Sequence, residues 1–177
     1  MRNRTAIFSS AIVLSVVGVV AFAAPANAAT PVTVAVAAAG GLEITAPTAT
    51  VVVPGLTASA DVQAFTIALG AVTVNDDLGG TAGWAASVTA TDFVDPDDAD
   101  LSIPLTGAAT YSSVQTASTG TVAVVYANST DLNNIAEIAT ATASGVNSAT
   151  WTPSLTVTVP AGTLAGNYAS SVVHSVL

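Results

Sequence analysis

The chain has 177 residues, 51% hydrophobic and only 7% charged, with eleven acidic side chains against two basic ones and a net charge of −9. Both basic residues, Arg2 and Arg4, sit at the extreme N-terminus, so the rest of the chain is without Lys or Arg; that excludes ordinary ion pairs within the domain and argues against nucleic-acid binding and attraction to anionic lipid, which draw on those side chains. The absence of cysteine removes both a disulfide framework and a lipid-bearing thiol, which leaves packing and sheet hydrogen bonds to hold the fold.

Arg2 and Arg4 precede a small and apolar run from Ala6 to Ala23, interrupted by Ser9, Ser10 and Ser15, and Ala26-Asn27-Ala28 supplies the small residues that a signal peptidase requires. Residues 1–28 are therefore expected to be a cleaved signal peptide and 29–177 a single exported domain, one able to bury roughly two-thirds of the surface of its unfolded chain. No Leu-Pro-x-Thr-Gly sorting signal or hydrophobic tail is visible in the sequence, and non-covalent attachment to the cell is the expectation.

Alternation of apolar and polar residues dominates from there on. Strands are expected over Ala29–Ala39, ended by Gly40-Gly41, then over Leu42–Thr45, Thr50–Val53 and Asp61–Leu69. Val72 to Phe93 reads as a β-hairpin: Val72 and Val74 alternate with Thr73, residues 75–83 form a polar, Gly-rich break, and Trp84 opens the return strand. Val94-Asp95-Pro96-Asp97-Asp98-Ala99-Asp100 is expected to be a loop, since Pro and clustered carboxylates oppose both helix and strand. A short strand near Ala108–Tyr111, a polar turn and a strong strand over Thr121–Tyr126 follow. Asp131–Thr142 fits either a helical turn, through Leu132, Ile135, Ala136 and Ala139, or a strand. Ser148–Val159 is the cleanest strand, with Leu155, Val157 and Val159 facing in, and Pro153 places its beginning at an edge or bulge. After a loop over 160–166, Asn167–Leu177 is the last strand, with Tyr168, Val172, His174 and Val176 on one side. The expected fold class is all-β, an antiparallel β-sandwich of roughly eight to ten short strands behind the signal peptide.

The ordered set Val72-Thr-Val-Asn-Asp, Gly83-Trp84, Val88 and Thr91-Asp92-Phe93, followed by Thr150-Trp151-Thr-Pro-Ser-Leu-Thr-Val-Thr-Val-Pro, Ala165-Gly166-Asn-Tyr168 and a terminal strand, resembles the WxL-like surface domains of Gram-positive bacteria. The resemblance spans nearly all of 29–177, and the Lys-free, Ala/Val/Thr-rich composition also resembles secreted proteins of high-GC Gram-positive bacteria. It implies a secreted β-protein that associates non-covalently with the cell wall, without catalysis. The chain departs from the family at both Trp-x-Leu signatures: Trp84-Ala85-Ala86 stands at the first and His174-Ser175-Val176 at the second.

Two sets of residues are candidates for binding. Trp84, Trp151 and Tyr168 offer aromatic faces on which sugar rings stack, weighed against burial at strand starts beside apolar alternation. Asp95, Asp97, Asp98 and Asp100 offer carboxylate oxygens of the kind Ca²⁺ takes, weighed against a solvated acidic loop; the spacing is not that of an EF-hand, because Ala99 and Thr106 stand at ligand positions. For catalysis the sole histidine, His174, lies in a strand with no Gly-x-Ser-x-Gly elbow in the chain, and no carboxylate pair is marked out. The expected function is that of a non-enzymatic cell-surface protein without an obligatory cofactor, whose partners are cell-wall glycan or another surface protein. A self-assembling structural subunit and a secreted hydrolase are the rival classes.

Overall fold

The structure, a computed structural model, describes residues 41–47 and 57–177 together with the strand positions 35–36 and 51–52. The expected signal peptide and most of the first and third expected strands lie outside the described residues. Among those described there are twelve strands and no helix: β1 (Ala35–Val36), β2 (Leu42–Thr45), β3 (Val51–Val52), β4 (Gln63–Ala68), β5 (Val72–Asp76), β6 (Trp84–Ala90), β7 (Phe93–Val94), β8 (Ser102–Ile103), β9 (Ala109–Tyr126), β10 (Ala136–Val159), β11 (Ala169–Ser170) and β12 (Val172–Val176). Eight form a large sheet and four a small one of order β3-β11-β7-β8. All the ladders are antiparallel except β1 on β12. The expected antiparallel β-sandwich is thus the observed fold class.

The 24-residue β10 is the spine of the large sheet. Along one edge it pairs with β9, from Ala139↔Tyr126 to Val157↔Ala109. Along the other edge three strands follow one another end to end: β6 against 136–141, β5 against 147–151 and β4 against 154–159. The hairpin expected over Val72–Phe93 is therefore not formed. β5 and β6 are strands as the alternation indicates, but each pairs with β10, and their outer edges go to β2 and β12 respectively. Alternation identifies a strand and the face it buries; it does not name the neighbour, and a single long strand offers both segments a partner that a local hairpin would have denied one of them.

The large sheet then folds over on itself. Trp151, from the second half of β10, meets Tyr126 at the far end of β9, with ring centroids 5.8 Å apart, and Tyr111 at the near end of β9 meets His174 on β12, also at 5.8 Å. A bridge between Tyr111 and Ser129 brings the start of β9 back beside the residues that follow its end. The bend lies where Gly120 on β9 and Gly145 on β10 take positive φ of 71° and 72°, with a register shift between Ser144 and Ser148. Loop 77–83 crosses the same bend, held by the Gly145 N–H to the Gly80 carbonyl at 2.8 Å and by the Asp77 N–H to the Gly41 carbonyl at 2.8 Å. The backbones approach closely here: a Cβ on Gly120 would run into the Val146 carbonyl, and one on Gly83 into the Ala141 carbonyl.

The long strands account for one further difference from the sequence reading and decide one open alternative. Residues 112–120, expected as a polar turn, lie inside β9, and of the window 131–142, expected as either helix or strand, 136–142 open β10 as a strand while 131–135 are irregular. Polar Ser and Thr stay in the ladder because their hydroxyls pair across it, Ser112 with Ser154 at 2.9 Å and Thr119 with Ser148 at 2.7 Å. Of the edge or bulge expected at Pro153, the structure shows no edge but a register shift just before it, between Thr150 and Trp151. Pro153 lies inside β10 opposite Ser113, and its carbonyl, which accepts from the Leu69 N–H at 3.0 Å, faces the irregular junction between β4 and β5, so the missing N–H falls where the ladder is already broken.

The core lies between the two halves of the folded sheet and the small sheet. Val72, Val74, Trp84, Ala86, Val88, Ala149, Trp151, Leu155 and Val157 are all buried, each from the inward face of an alternating strand. Phe65 and Phe93 join β4 to the small sheet, edge to face at 6.0 Å. Replacing Gly120 by Ala should cost about 2–4 kcal/mol, combining left-handed strain with overpacking against a backbone carbonyl. Gly162, with a φ of 80° and open space around it, should lose only about 1 kcal/mol on the same change. Urea denaturation of the two variants separates these effects, and equal losses would show that the bend is not sterically tight.

Candidate functional site

The three aromatic candidates are in the core. Trp84 is 3% exposed, Trp151 0% and Tyr168 1%, so none presents a ring face to a glycan, and the stacking-platform role is corrected to a structural one. For Trp84 and Trp151 the physical reason is the strand phase that puts each ring on an inward position, whereas Tyr168, expected on the last strand, lies in the loop just before β11; in all three the polar tip also finds a partner. The Trp84 indole donates to Asn147 Oδ1 at 3.3 Å; Asn147 Nδ2 donates to buried Asp76 at 2.8 Å and to the Gly145 carbonyl at 2.9 Å; Asp76 accepts the Leu78 N–H at 3.1 Å. This chain of polar groups pins loop 77–83 to the bend in β10. Tyr168 donates its hydroxyl to the Leu164 carbonyl at 2.8 Å.

The acidic loop is organised by its own carboxylates. Asp95 is buried, and its two oxygens accept the N–H of Asp97 at 2.9 Å and of Asn167 at 3.0 Å. The Asp98 side chain accepts the Asp100 N–H at 3.1 Å, while Asp97, Asp98 and Asp100 are exposed. Backbone bonds from Asp95 to Leu101, Asp98 to Asp95 and Leu101 to Asp98 close the turn. Asp95 is thus a clasp between loop 95–101 and the loop before β11. Among the described residues no group of three or more His, Cys, Asp or Glu side chains is disposed to hold a metal ion, so the structure does not gather Asp95, Asp97, Asp98 and Asp100 into a ligand set for Ca²⁺.

The strand pattern placed His174 on one side of the last strand and no more. The structure puts it at the centre of a buried polar cluster that joins the two halves of the folded sheet. The Tyr111 hydroxyl shares a proton with His174 Nε2 at 2.9 Å and accepts the Trp151 indole N–H at 3.3 Å. Burial pushes the Tyr111 phenol up to about 12, offset in part by the Trp151 bond, and burial pulls the His174 imidazole down to about 4. Among the described residues Tyr126 Oη and His174 Nδ1 are buried without a hydrogen-bond partner. At 2% exposure His174 is enclosed in the core, where a substrate could not reach it without opening the sheet.

What faces solvent on the half of the sheet built by β2, β5, β4, the second half of β10 and the first half of β9 is hydroxyl-rich. Thr45, Thr73 and Thr150 stand in one cross-strand row, Thr66, Thr156 and Thr110 in another, and Ser154 and Ser112 in a third. Thr66 and Thr156 pair at 2.9 Å, as do Thr73 and Thr150 at 3.0 Å. Each such pair uses one donor and one acceptor and leaves a donor and several acceptors for solvent or ligand. Neighbours within a row are about 4.8 Å apart across strands; along β10 the Ser154 and Thr156 rows are about 7 Å apart, and the Thr150 row lies about twice that distance from the Ser154 row. Glu43 lies at the β2 margin of this face.

No family model, curated protein or solved structure matches this chain.

Trp84→Ala should destabilise the fold by about 3–5 kcal/mol, as expected for a buried aromatic. A variant that kept its melting temperature would place the ring outside the core.

His174 sets an acid dependence whose sign follows from its burial. The unfolded imidazole takes a proton near pH 6.5 and the folded one only near pH 4, so the unfolded state binds more protons between these values. The stability that goes with a neutral ring is complete above pH 6.5 and is lost as the pH falls, by about 2–3 kcal/mol at pH 4.5. Denaturation of wild type and His174→Gln at pH 7.5 and 4.5 isolates this contribution as the difference between their pH dependences, and identical dependences would mean that the imidazole titrates in water.

Proposed function

We propose that this chain is an exported, non-catalytic surface protein that associates non-covalently with the cell wall, or with a surface partner, through the hydroxyl face of its folded sheet. The observation that carries this reading is the set of ordered Thr and Ser rows, solvent-facing and nearly free of charge on a domain that is otherwise acidic. A rigid array of paired hydroxyls suits neutral, hydroxyl-rich polymers, since it offers donors and acceptors at fixed spacing with little side-chain entropy left to lose. Coulombic attraction to anionic wall polymers is not open to a domain without Lys or Arg. The resemblance to WxL-like domains supports the same role, now with the tryptophans as core residues and the hydroxyl rows as the contact surface.

The test is a pull-down of the purified chain on isolated walls. Binding should survive a chelator and improve modestly between about 20 and 150 mM NaCl, as repulsion is screened over a Debye length shrinking to about 8 Å. Replacing Thr66, Thr73, Thr150 and Thr156 together by Val removes both partners of two hydroxyl pairs while keeping shape and strand preference, so stability should change little and binding should fall at least tenfold. Binding that vanishes on chelation, returns with Ca²⁺ and is absent from an Asp97→Asn/Asp98→Asn variant would transfer the function to the acidic loop.

A further inference from the structure

β9 is an edge strand of unusual character. It runs for 18 residues without a charged side chain or a proline, and no described strand pairs with its outer side. Long edges are ordinarily blunted by Lys, Pro or shortness, because their unpaired N–H and C=O groups are a template for another strand. Near its start the edge is closed by the Tyr111–Ser129 bridge, so the open part lies beyond, towards Thr121-Val122-Ala123-Val124-Val125-Tyr126.

The register of this segment fixes which groups are free. The Ala127 N–H donates to the Ile138 carbonyl at 3.0 Å, and Val125 stands opposite Thr140 on β10. Alternate residues of an antiparallel strand bond to the same neighbour, so Thr121, Ala123 and Val125 turn their backbone groups to β10, while Val122, Val124 and Tyr126 turn theirs to the open side. The side chains of these last three are only half-buried, Val125 is 74% exposed on the opposite face, and the Tyr126 hydroxyl lacks a partner.

We propose that this edge is an interface between two copies of the chain, pairing antiparallel about a two-fold axis at Val124. That register sets Val124 against its own counterpart and Val122 against Tyr126, an aromatic and β-branched pairing of the kind that stabilises ladders, and on the other face Ala123 against Val125. A second copy is the occupant because the segment is self-complementary and neutral. Elsewhere two such acidic chains, with no Lys or Arg beyond Arg4, repel each other, and this strand is a side on which they meet no like charge. The pairing goes beyond the wall-binding role: it leaves the hydroxyl rows of β4, β5 and β10 outside the contact and would present two of those faces at once.

Sedimentation equilibrium of the purified chain over a range of concentrations tests this. A reversible dimer is expected, with its dissociation constant raised at least tenfold by Val124→Pro, which deletes an N–H that faces away from β10, and by Val125→Lys, which places a charge on the exposed side. Melting curves of both variants identify any loss due to unfolding, and Val125→Lys, at an exposed position, keeps the test decisive if the proline variant unfolds. The chain has no cysteine, so Val124→Cys provides a positional readout. Residues in a hydrogen-bonded antiparallel pair lie about 5.5 Å apart at Cα, within disulfide range. Oxidation should link Val124→Cys into a covalent dimer and leave Val114→Cys monomeric. A chain that stays monomeric at all concentrations, or a dimer indifferent to both edge variants with Val124→Cys unlinked, overturns the proposal. Wall binding by a monomeric variant would leave the hydroxyl-face reading standing on its own.

Discussion

The constraint on which the architecture depends is the double-sided hydrogen bonding of β10. One strand carries β9 on one edge and β6, β5 and β4 in succession on the other, and its inward residues Ile138, Ala141, Ala149, Trp151, Leu155 and Val157 supply much of the core. A strand this long cannot stay flat and still enclose a core, so it must bend. Gly120 and Gly145 allow the bend at positive φ, the register shifts beside them absorb the mismatch in length, and the two halves of the sheet become the two layers of a sandwich.

The composition dictates how the interior copes with polar groups. Without Lys or Arg there is no cation to neutralise a buried carboxylate, and neutral donors are used instead: the Leu78 N–H and Asn147 around Asp76, the backbone N–H groups of Asp97 and Asn167 at Asp95. Asp76 thereby ties a loop to the sheet and Asp95 ties one loop to another, a structural use of charge that does not require an opposite charge. The Tyr111, Trp151 and His174 cluster does the corresponding work across the layers, with neutral rings whose ionisation burial opposes in both directions.

How far the sequence could be read follows from which interactions are local. The inward and outward phases at Val72–Asp76, Trp84–Ala90 and Ser148–Val159 are set by neighbours two residues away, and they were legible. Partner choice was not: the Gly-rich stretch 75–83 looks like a hairpin turn, while its role is to cross a bend defined by β10, far downstream in the chain. Ser and Thr in 112–120 read as a turn because their cross-strand hydroxyl partners, Ser154 and Ser148, cannot be seen from within the segment. For the candidate site, the aromatics could be placed on strands but their burial decided only by the layers above them. The hydroxyl face emerges when outward Thr and Ser from several strands are set side by side, a juxtaposition created by register.

The end-to-end placement of β4, β5 and β6 along β10 also bears on how the chain acquires its structure. These three strands are synthesised first and have no partner for their inner edge until residues 136–159 have followed, and β6 must wait longer still for β12 at the C-terminal end. A chain emerging N-terminus first therefore carries β4 and β6 without a ladder partner, and β5 with only β2, through most of its synthesis. Such a topology folds slowly, because distant pairings must close before any of them is rewarded, and it suits a polypeptide kept extended until it is complete.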